Sequence, residues 1–396
     1  MSGRVAASSE RVGDGHVDEL DGLRAVAITL VMFHHFAYSP DSSMAVRAIG
    51  LVTGAGWIGV DLFFVLSGFL ITGICLDHGG SGFFRAFYAR RALRILPIYA
   101  VVLGVIMVFS FAAGHALPGV AWLSTFTTNI LLSRTGDCRA VPQAARHLWS
   151  LAVEEQFYLV WPFVVAALST RRAALVAAAA VPAAIVFRAM LVWSGSSLLS
   201  AYLLTPARMD SLAIGALLAF ANRNPAIWDA FGRRLERLQR VPLRHWVVGL
   251  MIVCLVVATS SDGAEPYSPP MQIAGFSLIA ALAGLTLAVT LSADYGTALR
   301  HALRYPAARA VGRYSYAMYL IHVPINVALR DAGLGPRGVI QVLAFVAGAS
   351  AVTYVLAATS WRVVEYPALR LKRHFPYEGD GRIAGSSQLV SGEGTP

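Results

Sequence analysis

Two residues of the first apolar segment could do chemistry together. The segment reads LDGLRAVAITLVMFHHF from Leu20 to Phe36, and Arg24 and His35 stand in a stretch otherwise almost free of charge. Eleven residues separate them, about three turns at ~3.6 residues per turn, so both project from one helix face. At ~1.5 Å per residue His35 lies roughly 16 Å from Arg24 along the axis, about halfway across a ~30 Å hydrocarbon core. An imidazole at that depth is costly unless it faces protein or a water-filled cavity, which makes it a candidate general base or nucleophile. His34 is offset by about 80° from the Arg24 face, so His35 is the candidate.

Further polar groups recur in the other apolar blocks. GWIGVDLFFVLSGFLITGI (Gly56–Ile74) contributes Asp61 and Ser67, with Gly59 and Gly68 permitting close helix packing. Asp61 could orient a histidine or mark the interface. FYARRALRILPIY (Phe87–Tyr99) carries Arg90, Arg91 and Arg94. Arg91 and Arg94 are three apart and share a helix face, and their forked, always-charged donors suit phosphates. The same three cations would also serve as a cytoplasmic anchor.

HLWSLAVEEQFYLVWP (His147–Pro162) places two acids, Glu154 and Glu155, near a span entrance, where burying either is expensive. Ser150, Glu154, Tyr158 and Trp161 recur at helical spacing, so Glu154 faces a polar-aromatic stripe and Glu155 lies about 100° round. In ARMDSLAIGALLA (Ala207–Ala219) Arg208 can pair with Asp210. SYAMYLIHVP (Ser315–Pro324) adds a second intramembrane imidazole, His322. Glu365, among Arg362, Arg370 and Lys372, is expected in a structural ion pair.

The elements that must position these groups follow from composition. Of 396 residues 57% are hydrophobic and 14% charged, with mean hydropathy +0.61; soluble domains carry about 25% charged residues. The apolar residues come in long blocks, so the chain is expected to be an all-α polytopic integral membrane protein. Ten spans are expected, at roughly 22–40, 54–76, 94–113, 148–168, 173–193, 207–221, 246–261, 271–291, 311–329 and 338–360. With the amino terminus inside, cytoplasmic segments hold 24 of the 32 Lys and Arg residues, which favours N-in and C-in topology. A polar cytoplasmic tail (1–19) would precede the membrane domain (20–371), and a disordered cytoplasmic tail (372–396) would follow it.

The net charge of +10 comes from 31 Arg and one Lys, mostly in loops between apolar blocks. It signals topology, and no nucleic-acid partner is expected. Cys75, Cys138 and Cys254 have no metal-ligand or disulfide spacing, so no metal is expected.

Taken together the segments resemble the bacterial acyltransferase-3 family of integral membrane acyltransferases. The matching pieces, in family order, are LDGLRAVAI…H, GVDLFFVLSGFLI, RRALRILP, HLWSLAVEEQFYLVWP, RMDSLAIG, YSYAMYLIH and VEYP. The resemblance implies a ten-helix domain in the bacterial inner membrane. It implies transfer of an acyl group, usually acetyl, from cytoplasmic acyl-CoA to a hydroxyl of a sugar-containing acceptor: a surface or lipid-linked glycan, or a glycosylated natural product. The family's first-helix Arg and His fall on Arg24 and His35, its Arg-x-x-Arg on Arg91 and Arg94, and its acid on Glu154, with Glu155 beside it. Some members carry an extracytoplasmic hydrolase-like domain; about 25 polar residues follow Arg370 here, so none is expected.

The expected mechanism holds the phosphates of acyl-CoA on Arg91 and Arg94, with Arg90. His35 then acts either as base on the acceptor hydroxyl or as the residue first acylated. Glu154 is placed to orient the imidazole or accept its proton, and Arg24 to hold the base's partner or the donor. A transporter or flippase of a glycan or lipid intermediate is the reading from another class, with the same groups lining a substrate path.

Overall fold

The computed structural model describes residues 17–40, 43–112, 114, 119–239, 241–242, 245–246, 249, 268–292 and 298–377. Both tails expected from the sequence, at 1–19 and 372–396, lie largely outside the described residues, as do Cys254 and the span expected at 246–261. Among the described residues the fold is helical, with no strand.

Among the described residues nine long helices frame the protein: α1 (Asp18–Phe36), α2 (Gly59–Asp77), α3 (Phe83–Ala112), α4 (Trp149–Ala167), α5 (Thr170–Trp193), α6 (Thr205–Asn222), α7 (Phe276–Ser292), α8 (Pro306–Asp331) and α9 (Val339–Ser360). Six helical runs of the described residues are long and apolar enough to cross a membrane: Met44–Asp77, Phe83–Ala112, Thr170–Trp193, Leu199–Asn222, Met271–Leu291 and Val339–His374. They coincide with six of the ten expected spans. At three more of the expected positions stand the helices α1, α4 and α8, which are too polar to count among those six. These three carry much of the candidate chemistry. Apolar side chains such as Phe109 on α3, Met190 on α5 and Ile340 on α9 remain exposed on the outside, as a lipid-facing surface requires.

The polar start of α1 is neutralised before it enters the bundle. Glu19 pairs with Arg300 and Arg304, and Asp18 with Arg309 on α8 at 2.6 Å. Acids in the first turn also suit the positive end of the helix dipole. From there α1 packs along α8 and against α2, and α2 in turn lies along α6. Glycines set the last two spacings. A Cβ at Gly59 would collide with the Ala27 carbonyl of α1, and one at Gly68 with the Leu212 carbonyl of α6; Gly215 of α6 meets α2 reciprocally at Val65. Backbone-to-backbone approach of this kind is the small-residue packing expected in membranes. It fixes the register of α1, α2 and α6, and hence of Arg24, His35, Asp61, Ser67 and Arg208.

Candidate functional site

Among the described residues a cavity opens inside the bundle towards each end of α1. The first, about 110 Å³, lies between α1, α2, α3, α4 and α8 and receives Arg24, Ser67, Arg91, Arg94, Glu154, Glu155, Tyr158 and Tyr316. Helical spacing explains the lining: Arg91 and Arg94 share a face of α3, and Ser150, Glu154 and Tyr158 share a face of α4.

Glu154 Oε1 accepts a hydrogen bond from Ser67 Oγ at 3.0 Å. The Tyr158 hydroxyl stands 2.8 Å from Ser67 Oγ and 3.0 Å from Glu154 Oε2. The Arg91 guanidinium lies over the Tyr158 ring, 4.2 Å from its centroid, a cation–π contact that holds the fork without consuming its donors. Arg24 donates to Asp21 at 2.8 Å. Arg91 Nε and Glu155 Oε1 are buried without hydrogen-bond partners among the described residues. Arg24, Arg91 and Arg94 thus share one cavity with Glu154 and Glu155, Arg24 being paired with Asp21.

Arg90 stands apart from this group. It points to the carboxy-terminal segment, donating to the Phe375 carbonyl at 3.3 Å and stacking over Tyr377 at 4.6 Å. The i, i+1 offset of about 100° from Arg91 accounts for the separation.

The second cavity, about 220 Å³, is lined by His34, His35, His147, Arg146, Trp57, Trp149, Tyr202 and Cys138. Arg24 and His35 do lie along one side of α1, but each faces a different chamber. Val60 and Tyr319 line both cavities and form the partition between them. The Tyr319 hydroxyl is held by the His147 carbonyl at 2.9 Å and by Ser150 Oγ at 2.5 Å.

His35 is oriented by His322, and Glu154 is bonded elsewhere. His322 Nδ1 faces the Tyr319 and Met318 carbonyls at 2.7 and 3.2 Å. Carbonyls only accept, so Nδ1 carries the proton, and in a neutral ring Nε2 is then an acceptor. His35 Nδ1 lies 3.2 Å from that Nε2 and 2.9 Å from the Val31 carbonyl. The network therefore assigns its proton to Nδ1 and leaves a lone pair on His35 Nε2. His34 is fixed separately, with Nδ1 2.6 Å from the Gly54 carbonyl. In the turn before α4, burial pushes the His147 imidazole down to about 3, and neighbouring His35 adds to the effect, so His147 is neutral at physiological pH.

Asp61, Arg208 and Asp210 are fully buried and belong to a separate network. Arg208 pairs with Asp61 on α2 at 2.6 Å, and Ser211 donates to the same carboxylate oxygen at 2.7 Å. Asp210 pairs with Arg188 of α5 at 2.9 Å and accepts from Ser277 of α7 at 2.5 Å. The expected Arg208–Asp210 pair is replaced by two pairs between helices, and Asp61 meets an arginine in place of a histidine. The network ties α2, α5, α6 and α7 together beside the second cavity. Glu365 accepts from Ser360 at 3.1 Å. Residues that sequence reasoning did not single out are Tyr319, His147, Arg146, Arg188 and the aromatic trio Trp57, Trp149 and Tyr202.

Apolar helices around two polar chambers define a polytopic membrane protein. The chain belongs to the acyltransferase-3 family: the family model described as "Acyltransferase domain" matches residues 17–361. Among curated proteins it is similar to YrhL of Bacillus subtilis, 30% identical over 79% of this chain and 49% of the relative. It is also similar to the peptidoglycan O-acetyltransferase OatA of Listeria monocytogenes (28% identity; 89% of this chain, 56% of the relative) and to the O-acetyltransferase OatA of Staphylococcus aureus (25%; 88% and 56%). The chain spans about half the length of these relatives. No solved structure matches it.

Proposed function

We propose that the chain is a membrane O-acyltransferase that moves an acetyl or similar acyl group from cytoplasmic acyl-CoA to a hydroxyl of a sugar-containing acceptor. The observation that carries this reading is the pair of chambers: guanidinium groups in one, an oriented imidazole in the other, and a two-residue partition between. In this reading the polar helices α1, α4 and α8 complete a ten-span, N-in and C-in bundle in the bacterial inner membrane. The Arg-lined chamber then lies on the cytoplasmic side and the His-lined chamber on the far side.

Arg91 and Arg94, with Arg24 nearby, hold the phosphates of the donor through charge-assisted hydrogen bonds. The acyl end passes between Val60 and Tyr319. His35 Nε2 accepts the proton of the acceptor hydroxyl as its oxygen attacks the thioester carbonyl; the carbon–sulfur bond breaks and the coenzyme thiol departs. The same lone pair could attack first, giving an acyl-histidine and ping-pong kinetics. Two relatives are named for O-acetyl transfer, one of them for transfer on peptidoglycan, so peptidoglycan sugars are the first acceptors to test.

The test uses purified full chain in proteoliposomes with acetyl-labelled acetyl-CoA and peptidoglycan fragments. Covalent label on the acceptor, dependent on acetyl-CoA, supports the proposal. Movement of the acceptor across the bilayer with no covalent label would identify a flippase.

A further inference from the structure

The second cavity holds more recognition chemistry than a base alone requires. Trp149 and Tyr202 stand with ring centroids 4.7 Å apart, and Trp57 meets Tyr202 edge-on at 6.3 Å. All three line the cavity with His35. Flat aromatic faces of this kind cover the apolar C–H face of a sugar ring while leaving its hydroxyls to polar partners.

The unfilled polar atoms of the lining are the two ring nitrogens of His147 and two donors, on Trp57 and Arg146. Trp57 is 3% exposed, and its Nε1 has no hydrogen-bond partner among the described residues. Arg146 Nε is likewise buried and unpartnered. Indole and guanidinium groups can only donate, and burying such groups unpaired is unfavourable unless a guest supplies the acceptor. No carboxylate of the described residues forms an ion pair with Arg146. The nearby Asp137 is held by Arg139, which donates to it at 2.8 Å from the backbone and 3.1 Å from Nε. Arg139 and that hydrogen-bonding hold the Asp137 carboxyl below its ordinary range, with Arg146 a smaller contributor.

We propose that this cavity is the acceptor subsite and that it selects a sugar bearing an acidic group, a carboxylate or a phosphate. The ring lies against Trp149 and Tyr202, the acid on Arg146, and the reacting hydroxyl at His35. The inference rests on the transferase reading for the role of His35, but the binding it describes needs no acyl donor. Arg146 is a specificity residue here: it sorts acceptors by charge.

The experiment compares N-acetylmuramic acid with its carboxyl methyl ester on the full chain in nanodiscs. Binding is followed by calorimetry without donor, and transfer with labelled acetyl-CoA. The acid should bind about tenfold or more tightly than the ester, as one charge-assisted pair allows. Arg146→Gln should collapse that ratio to near one, and Arg146→Lys should keep part of it. Equal binding of acid and ester, binding of neither, or a ratio that survives in R146Q overturns the proposal. Charge-selective binding with no acetyl transfer would leave the subsite standing and count against the transferase reading instead.

Discussion

Replacing His322 with Phe tests how His35 is prepared for proton transfer. His322 holds the His35 ring through one contact, Nε2 to Nδ1 at 3.2 Å. Losing a hydrogen bond to a buried ring costs about 1–3 kcal/mol, which at about 1.4 kcal/mol per decade is roughly 5- to 150-fold in rate. The Val31 carbonyl still accepts from His35 Nδ1, so the fall in kcat should sit in the lower part of that range, about 5- to 30-fold. The phenyl ring is somewhat larger than the imidazole it replaces among Phe36, His147 and Tyr319, so the unfolding temperature of the variant is measured beside its kinetics to separate packing strain from the lost hydrogen bond. His322 does not line the Arg-bearing chamber, and KM for acetyl-CoA should therefore stay within about twofold. Steady-state kinetics of the purified variant in proteoliposomes reads both constants. A native kcat, or a change confined to KM, would refute the assignment of His322 as the group that sets the His35 tautomer.

Three further outcomes follow from the same geometry. Arg91→Gln and Arg94→Gln should each raise KM for acyl-CoA by about tenfold, as loss of a charge-assisted contact predicts, with a smaller change in kcat; donor-concentration series would show it, and unchanged KM in both would remove the phosphate assignment. Gly68→Val forces side-chain atoms onto the Leu212 carbonyl and should destabilise the α2–α6 contact by at least about 1–3 kcal/mol, read as a lower unfolding temperature in detergent; a native unfolding temperature would contradict the close packing. With Cys75 and Cys254 replaced by Ala, Cys138 beside the second cavity should react with a membrane-impermeant maleimide from outside intact cells, and labelling only after permeabilisation would invert the proposed orientation.

Much of the helical framework was legible because apolar blocks of span length leave few alternatives. The stripe Ser150–Glu154–Tyr158 could be read from spacing alone, and all three residues line the first cavity. Pairing between helices could not be read that way. Arg208 and Asp210 are two residues apart, which puts them about 200° apart on a helix, so each turns to a different neighbour: Arg208 to α2 and Asp210 to α5. Arg188 is fully buried because its partner, Asp210, comes from the neighbouring α6, a pairing that no spacing within α5 reveals. Glu154 and His35 share no local spacing, and only the stacking of α1, α2 and α4 decides that they face different chambers. Tyr319 did carry a signal, standing three residues before His322 on the same face of α8.

Turnover of His35→Ala against the native chain, with labelled acetyl-CoA and a sugar acceptor, tests the central claim most directly. The account predicts a loss of about 10²–10⁴ in kcat with acetyl-CoA binding retained at the native level, because the guanidinium chamber is untouched. Native turnover in that variant would contradict it.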